Sequence, residues 1–219
     1  MKIRVLTAIV CATLAAVSMT WTSGIGPSGA WAKKRAAAPA DAELAIGRPA
    51  PKADVKLADV SGRTISLRAA KGKKGLLVIF SCNTCPFVLA WEDRYQTIAE
   101  QCRKNNVGMI LVNSNETQRS SVDSPEEMAA HAKSKGYTFP YAVDANSELA
   151  DAFGATRTPH VFLFDAKLKL AYRGAIDDSR DASEVKQHYL SDAIDALAAG
   201  SLVAIQSTKS IGCGIKRKG

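Results

Sequence analysis

Residues 80–87 read FSCNTCPF. They close an apolar run, GLLVIF at 75–80, that has no polar position and so suits a strand buried on both faces. After the cysteines the period changes. Phe87, Trp91, Tyr95, Ile98 and Cys102 recur at helical spacing and share one face. Cys82 and Cys85 therefore fall at a junction between a buried strand and a helix. Unpaired backbone N–H groups and the helix dipole favour a thiolate there, so Cys82 is expected to be the low-pKa nucleophile. Cys85, one helical turn on, can close a small disulfide ring with it. Pro86 sits in the first turn, where its missing N–H costs nothing.

Outward from this stretch, strands and helices alternate. VKLADV (55–60) and TISL (64–67) flank Ser61-Gly62 as a β-hairpin. VGMILVN (107–113) predicts a second buried strand. In SPEEMAAHAKSKG, Ser124 is the N-cap, Pro125 the first helical residue and Gly136 the stop. NSELADAFG (146–154) predicts a short helix. HVFLFD (160–165) and KLAYRG (169–174) predict strands joined by a tight turn at 166–168, and residues 182–199 the last amphipathic helix. This order predicts an α/β domain whose central mixed β-sheet is flanked by helices, with an N-terminal β-hairpin extension.

The ends read differently. Lys2 and Arg4 precede an uncharged, mostly apolar run over 5–19, and Ala30-Trp31-Ala32 offers a small-residue cleavage site. That is the plan of a secretory signal peptide over 1–32, and the run is short of the roughly 20 residues that span a bilayer. A linker over 33–44 follows. Cleavage makes the protein exported, periplasmic or extracellular, where disulfides persist. It leaves Cys82, Cys85, Cys102 and Cys213, too few for a disulfide scaffold. The net charge is +8, but basic residues gather at 33–35 and 216–218, and aromatics are only 6% of the chain. No basic-aromatic stripe marks a nucleic-acid surface. No flavin, nicotinamide or phosphate-binding motif is present, so no cofactor is expected, and recharging falls to an outside redox partner.

Thr158-Pro159 enters a strand well after the cysteines, and this resembles the thioredoxin fold, in which a cis-proline lies beside the reactive pair. GRPAPKADVKLADVSGRTISL (47–67) is similar to the opening of the redoxin branch, which includes peroxiredoxins and the thiol oxidoreductases of cytochrome c maturation. FSCNTCPFV, GYTFPYAVD, FGATRTPHVFLFD, YRGAIDDSR and IGCGIK together resemble peroxiredoxin-like (redoxin) thioredoxin-fold proteins of bacteria, from about residue 45 to 217. The resemblance implies a redoxin domain over 45–205 and a C-terminal tail over 206–219. It further implies thiol–disulfide exchange with protein thiols or disulfides, Thr158 and Pro159 holding the substrate alongside Cys82 and Cys85. Glu116, in a stretch resembling the cytochrome-maturation branch, is a candidate proton acceptor for Cys85. Cys213, in the glycine-flanked tail, is a candidate resolving thiol.

Two other chemistries compete. Peroxiredoxins carry a threonine or serine three residues before the reactive cysteine and a proline seven before it. From Cys85 these positions hold Cys82 and Val78, and from Cys82 they hold Ile79 and Gly75. Arg157 is displaced from the arginine position. Peroxidase activity therefore stands as the alternative to exchange. Cys82, Cys85 and His160 would suit soft Cu(I) if they converged, whereas a structural zinc site lacks its second ligand pair. Cys102 lies on the apolar helix face and reads as a buried, inert thiol.

Overall fold

The computed structural model describes residues 42–218. The signal peptide reading, most of the expected linker and Gly219 lie outside the described residues. Leu57–Asp59 (β1) and Thr64–Ile65 (β2) pair antiparallel with Leu57 opposite Ile65, so the expected hairpin forms. Its second arm is shorter than the alternation predicts. Ser66 instead caps a one-turn helix, Leu67–Ala70 (α1), by accepting the Ala69 N–H at 3.2 Å. Gly75–Phe80 (β3) is buried at every position. Pro86–Trp91 (α2) passes through a 3₁₀ turn into Tyr95–Lys104 (α3), and Val107–Asn113 (β4) follows. Pro125–Ser134 (α4) begins where its signals place it, with Ser124 Oγ accepting the Glu127 N–H at 3.2 Å. Then come Tyr141–Val143 (β5), Glu148–Phe153 (α5), Arg157–Thr158 (β6), His160–Asp165 (β7), Leu170–Gly174 (β8), Tyr189–Ala198 (α6) and Cys213–Gly214 (β9).

Seven strands form one mixed sheet in the order β2-β1-β5-β4-β3-β7-β8, and β6 with β9 forms a separate pair. Strand β3 runs parallel to β4 and antiparallel to β7, so it is central and its backbone groups are paired on both sides. Side chains alternate across it. Leu76, Val78 and Phe80 face a core shared with Leu67, Leu149 and Phe153, while Leu77 and Ile79 face one built from Trp91, Tyr95, Ile98, Leu190 and Ile194. Helices cover both faces, and each such side chain contributes about 1.5–3 kcal/mol by burial. The architecture is that of the thioredoxin fold.

Two sequence expectations change. The final helix begins at Tyr189, not 182, because side chains claim the amides before it. Asp178 accepts the Lys186 and Gln187 N–H groups at 2.9 and 3.1 Å, and Asp181 accepts the Ser183 N–H at 2.9 Å. The helical face from Phe87 to Cys102 is split by the 3₁₀ turn at Glu92–Arg94, yet Trp91, Tyr95, Ile98 and Cys102 are buried as expected. Asp177 ties this region to the end of β8. Its carboxylate accepts the Trp91 indole N–H at 2.7 Å and pairs with Arg94.

Candidate active site

The C-terminal end of β3 delivers Ser81 into the sheet, where its N–H donates to Val112 O at 2.9 Å. The next residue, Cys82, turns its sulfur toward Thr158, 3.3 Å from the hydroxyl oxygen. Cys85 lies 3.2 Å from the Thr158 carbonyl oxygen. One threonine thus meets both sulfurs, the first with its side chain and the second with its backbone. Helix α2 starts at Pro86, and its N-cap is Cys85, a turn later than the sequence suggests. The second sulfur, not the first, therefore sits at the helix terminus.

The two sulfurs pack together with Val88 in one cluster. The neighbouring Cys82 thiol pulls Cys85 below the ordinary thiol range, against its burial, with Cys213 and the Val88 N–H assisting. Cys85 in turn, with burial, pushes Cys82 above the range, partly offset by the Thr158 hydroxyl. The Thr158 carbonyl is an acceptor and, like burial, favours a protonated Cys85, but the effect of the adjacent Cys82 is the larger. A negative charge on the pair is therefore placed at Cys85.

A buried carboxylate holds the loop between the cysteines. Asp123 accepts the Asn83 N–H at 2.9 Å, the Asn113 amide at 2.8 Å and the Asn115 amide at 2.9 Å. Asn83 is secured further by donating to Val122 O at 2.8 Å and accepting from the Tyr141 hydroxyl at 3.0 Å. Sequence reasoning missed Asp123, which sits in a polar loop with no periodicity. Its signal lay in Asn113 and Asn115, polar residues where a mostly buried strand ends.

Thr158 precedes a cis peptide bond to Pro159 and lies in β6. The tail strand β9 pairs with it, Cys213 opposite Thr158 and Gly214 opposite Arg157. Cys213 packs against Cys82, Cys85 and Val88, and burial followed by its contact with Cys85 raises its pKa. Sequence-expected residues Cys82, Cys85, Thr158 and Cys213 thus come together around a cavity of about 200 Å³ that also meets Asn115, Gln118 and Lys216. A larger cavity of about 410 Å³, near Arg94 and His188, contains no cysteine.

Glu116 is not in that lining. Its carboxylate accepts the Asn146 N–H at 3.0 Å and pairs with Arg119 at 3.6 Å and Lys218 at 3.5 Å, so the structure commits it away from Cys85. His160 is fully buried and lies against Phe162, with Glu43 3.7 Å from Nε2. Burial drives its pKa down to about 3, with Arg173 and Arg157 adding to the shift. Among the described residues no three His, Cys, Asp or Glu side chains are grouped to hold a metal ion, so Cys82, Cys85 and His160 do not form the Cu(I) set. Cys102 is buried in the helix core, and burial pushes its thiol up to about 12. No described helix is long and apolar enough to cross a membrane.

Similarity to known proteins agrees with this geometry. No curated protein matches the chain. Among solved structures, an uncharacterized conserved protein from Geobacillus kaustophilus is 35% identical, with 80% of this chain and 93% of that one covered at a TM-score of 0.74. A peroxidoxin from Mycobacterium tuberculosis is 17% identical over 72% of this chain and 98% of its own, with a TM-score of 0.55. The thioredoxin domain of a thiol-disulfide oxidoreductase from Bacteroides vulgatus is 18% identical over 61% and 90%, with a TM-score of 0.51. The last two likenesses concern the fold. The Redoxin profile matches residues 45–189, the segment that carries the sheet, both cysteines of the pair and Thr158. With that span covered, the chain belongs to the redoxin family.

Proposed function

We propose that the protein is an exported thiol–disulfide oxidoreductase working through Cys82 and Cys85. The observation that carries this reading is the contact of both sulfurs with Thr158 in the lining of one small cavity. A thiolate at Cys85 attacks one sulfur of a substrate disulfide, forming a mixed disulfide and expelling a thiolate. Cys82 then gives up its proton and attacks Cys85, forming the Cys82–Cys85 bond and expelling the second thiolate. The substrate gains two electrons and the protein loses two, which an outside dithiol returns. Export rests on the charge and hydropathy plan of residues 1–32.

Thiol trapping with mass spectrometry across a graded glutathione buffer tests the exchange reading. A reversible Cys82–Cys85 bond is expected. A midpoint near roughly −270 mV marks a reductant and one near roughly −120 mV an oxidant. If the two cysteines never pair, the reading fails.

Peroxidase activity is the second reading, favoured by the lowered Cys85 thiol, since any accessible thiolate can be oxidised by peroxide. The cavity lining holds no arginine to polarise a peroxide, and Arg157 instead donates to Gly212 O at 2.9 Å. Peroxide consumption by the reduced protein, compared with free thiol at equal concentration, separates the two readings.

A further inference from the structure

An incoming polypeptide disulfide needs a backbone edge beside the sulfurs, where unpaired N–H and C=O groups can receive a strand. The edge next to Cys82 and Cys85 is β6, and the chain's own tail already occupies it. Beyond the paired residues, the Ile215 N–H donates to Thr156 O at 3.0 Å. The seat is shaped for this segment, because Gly212 lies so near the Thr158 carbonyl that any Cβ there would overlap it. On the opposite flank the Lys216 N–H donates to Asn115 Oδ1 at 2.9 Å, and the Thr117 N–H donates to Lys216 O at 3.0 Å. The tail therefore bridges two walls of the site, and a cavity of about 200 Å³ remains between them.

That opening has room for the few atoms flanking an S–S bond, not for an extended chain. Apart from the Cys85 thiolate, the only charged side chain in its lining is Lys216. The next two residues are ion-paired, Arg217 with Asp151 and Lys218 with Glu116, whereas Lys216 has no carboxylate partner among the described residues.

We propose that the dithiol acts on small anionic disulfides, and that the docked tail keeps polypeptide disulfides from the same sulfurs. This rests on the reading of Cys82 and Cys85 as an exchange pair and narrows its substrate class. The redox step is the one already balanced above: the small disulfide takes two electrons and leaves as two thiols, and an external dithiol restores the pair.

The test follows oxidation of the reduced full chain by thiol trapping, using dithiodipropionate (anionic), bis(2-hydroxyethyl) disulfide (neutral), cystamine (cationic) and insulin. Each rate is divided by that of free dithiothreitol with the same compound. Dithiodipropionate is expected to exceed cystamine by about tenfold, the effect of one favourable charge contact of about 1.4 kcal/mol. Lys216→Gln should remove that preference. Insulin should react at least about a hundredfold more slowly than the neutral disulfide, and Gly212→Val, which unseats the tail, should raise the insulin rate alone. Equal normalised rates for insulin and the small disulfides overturn the proposal, as does a charge preference that survives Lys216→Gln. If Gly212→Val does not fold, the wild-type ratios and Lys216→Gln still decide. Should no compound produce a Cys82–Cys85 bond, the exchange reading itself falls and this proposal with it.

Discussion

A thiolate at Cys85 depends first on the Cys82 thiol beside it, and only then on the helix that starts at Pro86. Cys82→Ala removes the largest of these donors. The titration midpoint of Cys85, read from its alkylation rate against pH by mass spectrometry, should rise toward the ordinary thiol value. At a pH below both midpoints alkylation should slow by about tenfold for each unit of that rise. An unchanged profile would mean that the helix terminus, not the Cys82 thiol, sets the charge. The pair itself was legible in the sequence, because a C-x-x-C after an all-apolar strand has few structural settings. Which sulfur takes the charge was not, since that depends on the groups that the fold gathers around each sulfur. His160 permits a second prediction. Burial lowers its pKa from 6.5 to about 3, and its ring nitrogens have no hydrogen-bond partner. Below pH 6.5 the unfolded chain binds a proton that the folded chain refuses. Stability is therefore complete above that pH and falls as pH drops toward 3, by up to about 1.4 kcal/mol per unit. His160→Phe, which keeps a ring against Phe162, should flatten this slope in urea denaturation run from pH 7 to 4. A variant as acid-sensitive as the wild type would place the proton uptake elsewhere.

Among the elements, legibility followed length and period. Strands β3, β4 and β7 are six or seven residues long and mostly apolar, and they stand within the sheet where expected. Strands β5, β6 and β9 have two or three residues each, too few to show a period. The longer β4 supplies the partner of β5, whereas β6 and β9 are each other's partners and form only once the tail meets Thr158. Helix α4 shows the opposite case, a start written locally. Ser124 Oγ caps Glu127 N–H, and the Asp123 beside it is the buried anchor of the cysteine loop. Ser124→Ala should cost about 1 kcal/mol in equilibrium unfolding. Because Asp123 holds its three amide donors through its own carboxylate, the Cys82–Cys85 midpoint potential should stay at its wild-type value. A shifted potential would show that the cap, and not the carboxylate network, positions the loop.

Over the whole molecule, the tail and the cysteine loop meet at one side chain. Asn115 donates its amide to Asp123 Oδ2 at 2.9 Å and accepts the Lys216 N–H on its carbonyl oxygen, also at 2.9 Å. The same residue thus steadies the floor of the site and pins its roof. Nothing in the local sequence joins residue 115 to residue 216, so this link becomes visible only when β4 and the tail are brought together in space. Asn115→Ala removes both bonds. Each is worth about 1 kcal/mol net, and only the bond to Lys216 breaks when the tail opens, so the equilibrium that exposes the Lys216 amide should shift by roughly fivefold, given 1.4 kcal/mol per decade. Native-state hydrogen exchange should show that acceleration at Lys216. The Ile215 amide, held by Thr156 O, should accelerate with it if the tail opens as a unit. Cys213→Ala is the matched control. It leaves every backbone bond of the tail in place and removes only the packing of its sulfur on Cys82, Cys85 and Val88, so its exchange should stay close to wild type. If Cys213→Ala opens the tail as far as Asn115→Ala does, sulfur packing holds the roof, and the state of the cysteines would then govern access to their own site.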